Sequence, residues 1–222
     1  MTLKHNITFV FLAISSLSFG QLDLMNKERN KAYDKYNILV EDSTRYCGKN
    51  PCYGIVKDYY PTDTLLHRGN YSEGKLQGYR NYYPTGVLER EIKFVNVYSA
   101  KLKLFFPSGS IKSEIHYNET NPITWIDYFE NGNIDYEEYY NRNYTALKKK
   151  ASYYESGKPQ EEQVLVKKSK LIYSYKTYYK NGQIQSKGEM RFIKNIEDYR
   201  KLGVWKHYTE TGKLEKEEKF NY

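Results

Sequence analysis

The residues of this chain that could ligate a metal or move a proton are two cysteines, four histidines and 27 carboxylates, and their spacing favours neither chemistry. A zinc site needs four ligands close together, whereas His67, His116 and His207 are scattered, with no paired spacing near Cys47 and Cys52. No metal is expected. Adjacent acids such as Glu137-Glu138, Glu161-Glu162 and Glu217-Glu218 would leave a strand on opposite faces, so they could not serve one reaction as acid and base. There is no Ser, His and Asp set in recognisable context, no glycine-rich phosphate loop and no His-Glu-x-x-His. The expectation is a protein that is not an enzyme and carries no cofactor. The tetrapeptide Gly48-Lys49-Asn50-Pro51 favours a turn that could bring Cys47 and Cys52 within bonding range. In an oxidising compartment a small-loop disulfide is expected there, with free thiols as the alternative.

What remains is binding chemistry, and it is aromatic. Phe, Trp and Tyr make up 17% of the chain, and 26 residues are tyrosine. Mean hydropathy is low, at -0.85, so a thin fold held by rings with wet hydroxyls is expected instead of a thick core. The rings recur in order. Tyr82-Tyr83-Pro84-Thr85-Gly86-Val87-Leu88 returns with substitutions around Gly109, Gly132, Gly157, Gly182 and Gly212, and an earlier copy carries Asp63 at the glycine position. These anchors are evenly spaced from Asp63 to Gly132 and more widely spaced after it. This is a repeat protein.

Each copy reads as a β-hairpin. Pro-Thr-Gly, Pro-Ser-Gly or Glu-Asn-Gly suits a three-residue loop with a type I turn and glycine in the left-handed position, so Gly86, Gly109, Gly132, Gly157, Gly182 and Gly212 are the structural turn residues. A two-residue loop is the competitor. The three-residue register sets Tyr82 opposite Leu88, Phe105 opposite Ile111, Tyr128 opposite Ile134, Tyr153 opposite Pro159, Tyr178 opposite Ile184 and Tyr208 opposite Leu214. Simple alternation puts Phe94, Tyr117, Tyr140, Leu165, Met190 and Phe220 on that same face, and Trp125 and Trp205 on the other unless a bulge intervenes. The opposite face would then carry a second column, Tyr83, Phe106, Phe129, Tyr154 and Tyr179, with Glu91, Glu114, Glu137, Glu162 and Glu217. That column either covers the sheet or is a docking surface for a partner.

The ends of the chain differ from the repeats. Residues 1–20 combine Lys4, the apolar run Ile7 to Ile14 and Ser18-Phe19-Gly20, which together read as a signal peptide cleaved near Gly20. A buried N-terminal strand is the alternative. Export predicts a secreted or periplasmic, cell-envelope location. Residues 21–55 lack the repeat and are expected to form an N-terminal cap or a lead-in, with Tyr36 to Val40 as a candidate strand. Residues 56–222 hold about seven hairpins. Glu189 to Gly203 is expected as a charged loop, and Lys213 to Phe220 as a terminal strand guarded by charge.

Tyr71-Ser72-Glu73-Gly74-Lys75-Leu76-Gln77-Gly78-Tyr79-Arg80-Asn81-Tyr82-Tyr83-Pro84-Thr85-Gly86-Val87-Leu88 and Gly203-Val204-Trp205-Lys206-His207-Tyr208-Thr209-Glu210-Thr211-Gly212-Lys213-Leu214 resemble the bacterial MORN-variant repeat. There a Gly-x-Trp-x-x-Tyr strand leads into an Asn-Gly-Lys-Leu turn. The resemblance covers about residues 56 to 222 and implies an all-β fold of stacked hairpins in one elongated, twisted antiparallel sheet. Proteins of this kind are often labelled antitoxin components. Several copies here lack the Gly before the Trp, and Trp occurs in two units only. Tyr/Gly repeats that cradle choline are a second likeness, but they usually carry a Trp pair in each unit.

The formal charge is +8, or +7 once Lys4 leaves with the leader. Lys148-Lys149-Lys150 and Lys167-Lys168 are the local basic runs, and a solvated face is their plainer meaning. Nucleic acid would call for basic residues gathered on one face and is not expected. The leading expectation is a protein partner in the cell envelope. A glycan or anionic lipid surface is the alternative, and toxin neutralisation rests on the family label alone.

Overall fold

The computed structural model describes residues 32–37, 41, 43–96 and 98–221. The expected signal peptide, its expected cleavage point near Gly20 and Ile38 to Val40 lie outside the described residues. Within them the chain forms β1 (Tyr46–Cys47), β2 (Asn50–Pro51), β3 (Gly54–Tyr59), β4 (Leu65–Ser72), β5 (Lys75–Tyr82), β6 (Leu88–Asn96), β7 (Ser99–Phe105) and β8 (Ile111–Asn118). There follow β9 (Asn121–Tyr128), β10 (Ile134–Tyr140), β11 (Leu147–Tyr153), β12 (Pro159–Lys167), β13 (Ile172–Tyr178), β14 (Ile184–Ile193), β15 (Asp198–Tyr208) and β16 (Leu214–Phe220). Strands β3 to β16 make one 14-stranded sheet in which every neighbour in space is also the neighbour in sequence. At about 4.8 Å per strand step the sheet runs for roughly 60 Å. It is open, with β3 and β16 as its edges.

The hairpin register follows from the loop chemistry. Tyr83 N–H donates to Val87 O and Gly86 N–H to Tyr83 O, both at 2.8 Å, and the same pair of bonds recurs at every glycine turn. Gly86, Gly109, Gly132, Gly157, Gly182 and Gly212 have φ between 82° and 94°, and Asp63 adopts 61° in their place. This is the three-residue loop. All six aromatic pairs form as expected, from Tyr82 with Leu88 to Tyr208 with Leu214, and Tyr59 with Leu65 adds a seventh.

One feature of the hairpins departs from simple alternation. In all seven, the ladder skips the residue three places after the turn position: Leu66, Glu89, Lys112, Asp135, Gln160, Gln185 and Glu215. A residue skipped on one strand reverses which face every later residue points to. Two expectations are thereby corrected. Phe94, Tyr117, Tyr140, Leu165, Met190 and Phe220 lie on the face opposite Tyr82, together with Trp125 and Trp205. Glu91, Glu114, Glu137, Glu162 and Glu217 lie on the same face as Tyr82.

The sheet therefore has two distinct sides. The core face carries the buried row Tyr79, Ile92, Leu102 and Ile115, which are cross-strand neighbours, with Tyr71 and Leu76 beside them. The ladder face carries the glutamates and the Tyr82-type column. The described residues between 32 and 52 fold over the core face at its N-terminal end. Tyr33 stacks on His67 with ring centres 3.7 Å apart, and Asp34 accepts the Tyr79 hydroxyl at 2.6 Å. Leu76 N–H reaches Tyr36 O at 3.0 Å. Tyr36 and Asn37 form a turn, not the start of a strand. Cys47 and Cys52 are bonded to each other, and Cys52 is fully buried. Residues 189–203, expected as a loop, instead extend β14 and β15 as a paired ribbon from Glu189 with Leu202 to Ile193 with Asp198.

Candidate interaction faces

The column Tyr83, Phe106, Phe129, Tyr154 and Tyr179 sits at the hairpin ends, and all five side chains are half-buried. Their position explains what they do. Tyr83 spends its N–H and C=O inside its own turn, so the carbonyl one residue earlier, on Tyr82, points outward toward the preceding hairpin. There the ladder has stopped: β4 pairs β5 only as far as His67 with Asn81. The preceding copy fills the gap with a hydroxyl. Tyr60 donates to Tyr82 O at 2.7 Å, Tyr83 to Phe105 O at 2.8 Å, Tyr154 to Tyr178 O at 2.8 Å and Tyr179 to Tyr208 O at 2.9 Å. Phe106 and Phe129 occupy the same column and have no hydroxyl to offer the corresponding carbonyls of Tyr128 and Tyr153. The tyrosine rings clasp one hairpin to the next.

The ladder face is organised by its glutamates. Lys149 Nζ lies 2.5 Å from Glu137, and the hydroxyls of Tyr153 and Tyr139 donate to it at 2.6 and 3.0 Å. Burial alone would raise that carboxyl, but these three donors hold it below its usual range. Glu114 is held low by Lys103 at 2.5 Å, against its burial, and by Tyr128 at 3.0 Å. Burial and the adjacent Glu114 push the Tyr128 hydroxyl up to about 12. Glu91 answers to Arg80 and Lys93, Glu162 to Lys176 and Tyr178, and Glu217 to Lys206. Glu138, next to Glu137, projects from the core face and accepts the Tyr140 hydroxyl at 2.9 Å.

Beside this ladder runs an apolar stripe. Tyr82 and Leu88, Phe105 and Ile111, Tyr128 and Ile134, Tyr153 and Pro159, Tyr178 and Ile184, and Tyr208 and Leu214 follow one another across the sheet, every one partly exposed. The N-terminal segment packs elsewhere, since the side chains it contacts, Asp58, His67, Tyr71, Tyr79 and Arg90, are all on the core face. On alternation alone these pairs look internal, and binding would fall one residue further along. The bulge changes that, because it sets the stripe and the charged ladder side by side on one face.

The architecture is that of a repeat protein of stacked β-hairpins. Residues 79–96, 100–119, 123–142, 174–191 and 201–222 match the MORN repeat variant, and the chain belongs to that family. The hairpins turning at Asp63 and Gly157 lie outside those matches, yet have the same register. No curated protein matches the chain. MORN repeats are in general protein- or membrane-interaction modules and non-enzymatic scaffolds.

Proposed function

We propose that this is an exported, non-catalytic scaffold that holds a protein partner in the cell envelope against the ladder face. The observation that carries the reading is the continuous stripe from Tyr82 to Leu214, apolar, partly exposed and bordered by a ladder of alternating charge. Contiguous apolar surface rimmed by polar groups is what a protein interface presents. The first residues support the envelope location: Lys4, the run Ile7 to Ile14 and Ser18-Phe19-Gly20 have the order of a cleavable leader. The disulfide suits an oxidising compartment.

A photo-crosslinking amino acid tests this when placed at Ile134 or Ile184 on the stripe, and at Glu161 or Lys216 on the core face as controls. In intact cells the stripe positions should give one discrete envelope-protein adduct and the controls none. Equal adducts from both faces, or none from either, would end the reading. Fractionation should find the chain in the envelope, shortened by about the leader's length.

A further inference from the structure

Near the far end of the core face, away from both the stripe and the N-terminal segment, lies a cavity of about 380 Å³. Its walls are rings: Tyr140, Tyr144, Tyr173, Phe192 and Tyr199. Tyr140 and Tyr144 lie 4.2 Å apart, Phe192 and Tyr199 5.0 Å, and Tyr173 meets Tyr199 edge-on at 5.4 Å. Glu138, Lys150 and Gln163 also line it, and they are neighbours in one cross-strand row. Gln163 is 4% exposed, and its Nε2 is buried with no hydrogen-bond partner among the described residues. The Tyr199 hydroxyl lies near that amide but outside hydrogen-bond geometry. A buried donor left without an acceptor is destabilising until a ligand supplies one.

The backbone around the cavity is strained. Tyr144 and Leu171 both line it and both adopt left-handed conformations, with φ of 53° and 50°. Neither is a glycine, and bulky residues are held in this region only where the surrounding structure enforces it. For Tyr144 the enforcement is Asn141, whose Oδ1 accepts from Thr145 N at 2.8 Å and Ala146 N at 3.0 Å.

A second cavity, of about 540 Å³, adjoins the first. The two share Thr145, Ala146, Leu171 and Phe192 as a common wall. Among the described residues, the second is lined by Lys168, Lys170, Arg191 and Lys194 and by no acid. The fold thus gathers part of a basic excess that sequence alone leaves dispersed.

We propose that the paired cavities bind an acidic oligosaccharide, with a pyranose ring in the aromatic cavity and the anionic group in the basic one. A pyranose offers an apolar C–H face to the rings and a rim of hydroxyls. Those hydroxyls can donate to Glu138 and accept from Lys150 and Gln163. Neither half of the site suffices: rings without cations would take a neutral sugar, and cations without rings any polyanion. The aromatic cavity lies on the face opposite the proposed protein-binding stripe, and the basic one is built at the connection end of the strands, away from the glycine turns that carry the stripe, so either can fail alone.

The test is calorimetric titration of the purified protein with three probes: tetragalacturonic acid, maltotetraose and a short polyphosphate. The acidic sugar should bind at least tenfold tighter than either of the others, and should weaken as salt rises. Equal binding of polyphosphate would reduce the site to a charged edge and overturn the proposal, as would no binding of the acidic sugar. Two variants probe the halves. Lys168→Gln with Arg191→Gln changes exposed side chains only, and should cost the acidic sugar at least tenfold. Gln163→Met removes the amide at similar volume. It should weaken the acidic sugar about fivefold, as loss of one hydrogen bond worth about 1 kcal/mol requires. Unchanged affinity in both variants, with their melting temperatures retained, would also overturn it.

Discussion

The hydroxyl clasps at the hairpin ends can be tested in both directions, because the chain contains its own control. Tyr154→Phe and Tyr179→Phe each delete one hydroxyl that donates to an outward-facing carbonyl, at 2.8 and 2.9 Å, and leave the ring in place. A hydrogen bond of this kind contributes about 0.5–1.5 kcal/mol. Both carbonyls lie where strand pairing has ended and water can reach, so the lower half of that range applies, about 0.5–1 kcal/mol each. Phe106→Tyr and Phe129→Tyr should do the reverse. The existing clasps join Tyr60 to Tyr82, Tyr83 to Phe105, Tyr154 to Tyr178 and Tyr179 to Tyr208, and only the far end of the repeat varies in length among them. The Phe106 and Phe129 rings are therefore placed to reach the carbonyls of Tyr128 and Tyr153. Urea unfolding gives the net change. Hydrogen exchange at the flanking turns shows whether it is local, as expected where each repeat contacts only its neighbours. Neutral deletions together with additions that gain nothing would refute the clasp, since the hydroxyls would then merely exchange one water for one carbonyl.

Three further outcomes are expected. His67 is fully buried, bonded to Asn81 at 2.7 Å and Tyr71 at 3.0 Å, and burial lowers its pKa to about 4 despite the Asn81 bond and the nearby Asp58 carboxylate. A depressed imidazole stabilises the fold fully above the unfolded pKa of about 6.5, and the benefit drains as pH falls from there to about 4. The loss is about 3 kcal/mol. In melting curves collected across pH it should be absent in His67→Gln and distinct from the later acid loss at Asp58, whose carboxyl is held below its usual range, against its burial, by Arg45 at 2.7 Å and the Tyr33 hydroxyl at 2.9 Å. Gly188→Ala should destabilise by about 1–3 kcal/mol, because a Cβ there would overlap the Trp205 ring; thermal melts check it. Cys47→Ser with Cys52→Ser opens a loop of sequence separation 5 and should cost about 2 kcal/mol. Exchange should rise at Gly74 and Leu76, whose N–H groups bond to Cys52 O and Tyr36 O.

The hairpin count, the turn type and the aromatic pairs were legible because each follows from a local signal. Glycine four residues after an aromatic and two before an aliphatic fixes a three-residue loop, and the loop fixes the first pair of the ladder. Asp63 shows how robust that is, since a residue able to enter the left-handed region keeps the register without glycine. The face assignments were not legible, because the skipped position carries Leu66, Glu89, Lys112, Asp135, Gln160, Gln185 and Glu215, a mix of both charges, amides and one leucine that is no more distinctive than the exposed positions of the sheet. A bulge tolerant of any side chain leaves no mark in composition, yet it moves every downstream glutamate to the other side. The cavity was hidden for a different reason. Glu138, Lys150 and Gln163 belong to three successive strands, β10, β11 and β12, far apart along the chain, and only cross-strand pairing makes them neighbours.

The changing repeat length locates where this array departs from uniformity. The anchors keep one spacing from Asp63 through Gly86 and Gly109 to Gly132, then stand further apart at Gly157, Gly182 and, most of all, Gly212, while every glycine turn keeps the same two hydrogen bonds. The added residues must then enter at the opposite end of the sheet. They do so in the connections 141–146 and 168–171 and in the lengthened ribbon of β14 and β15. In a repeat protein an insertion at one end of a unit leaves the ladder intact, so that end can change with little effect on stability. Tyr144, Leu171, Lys168, Lys170 and Lys194 all belong to these added connections, and all line one or both of the paired cavities. Trimming 141–146 to a two-residue turn like Glu119-Thr120 should accordingly leave the hairpins folded by circular dichroism and abolish tetragalacturonate binding. Retained binding would show that the lengthened connections serve something other than that site.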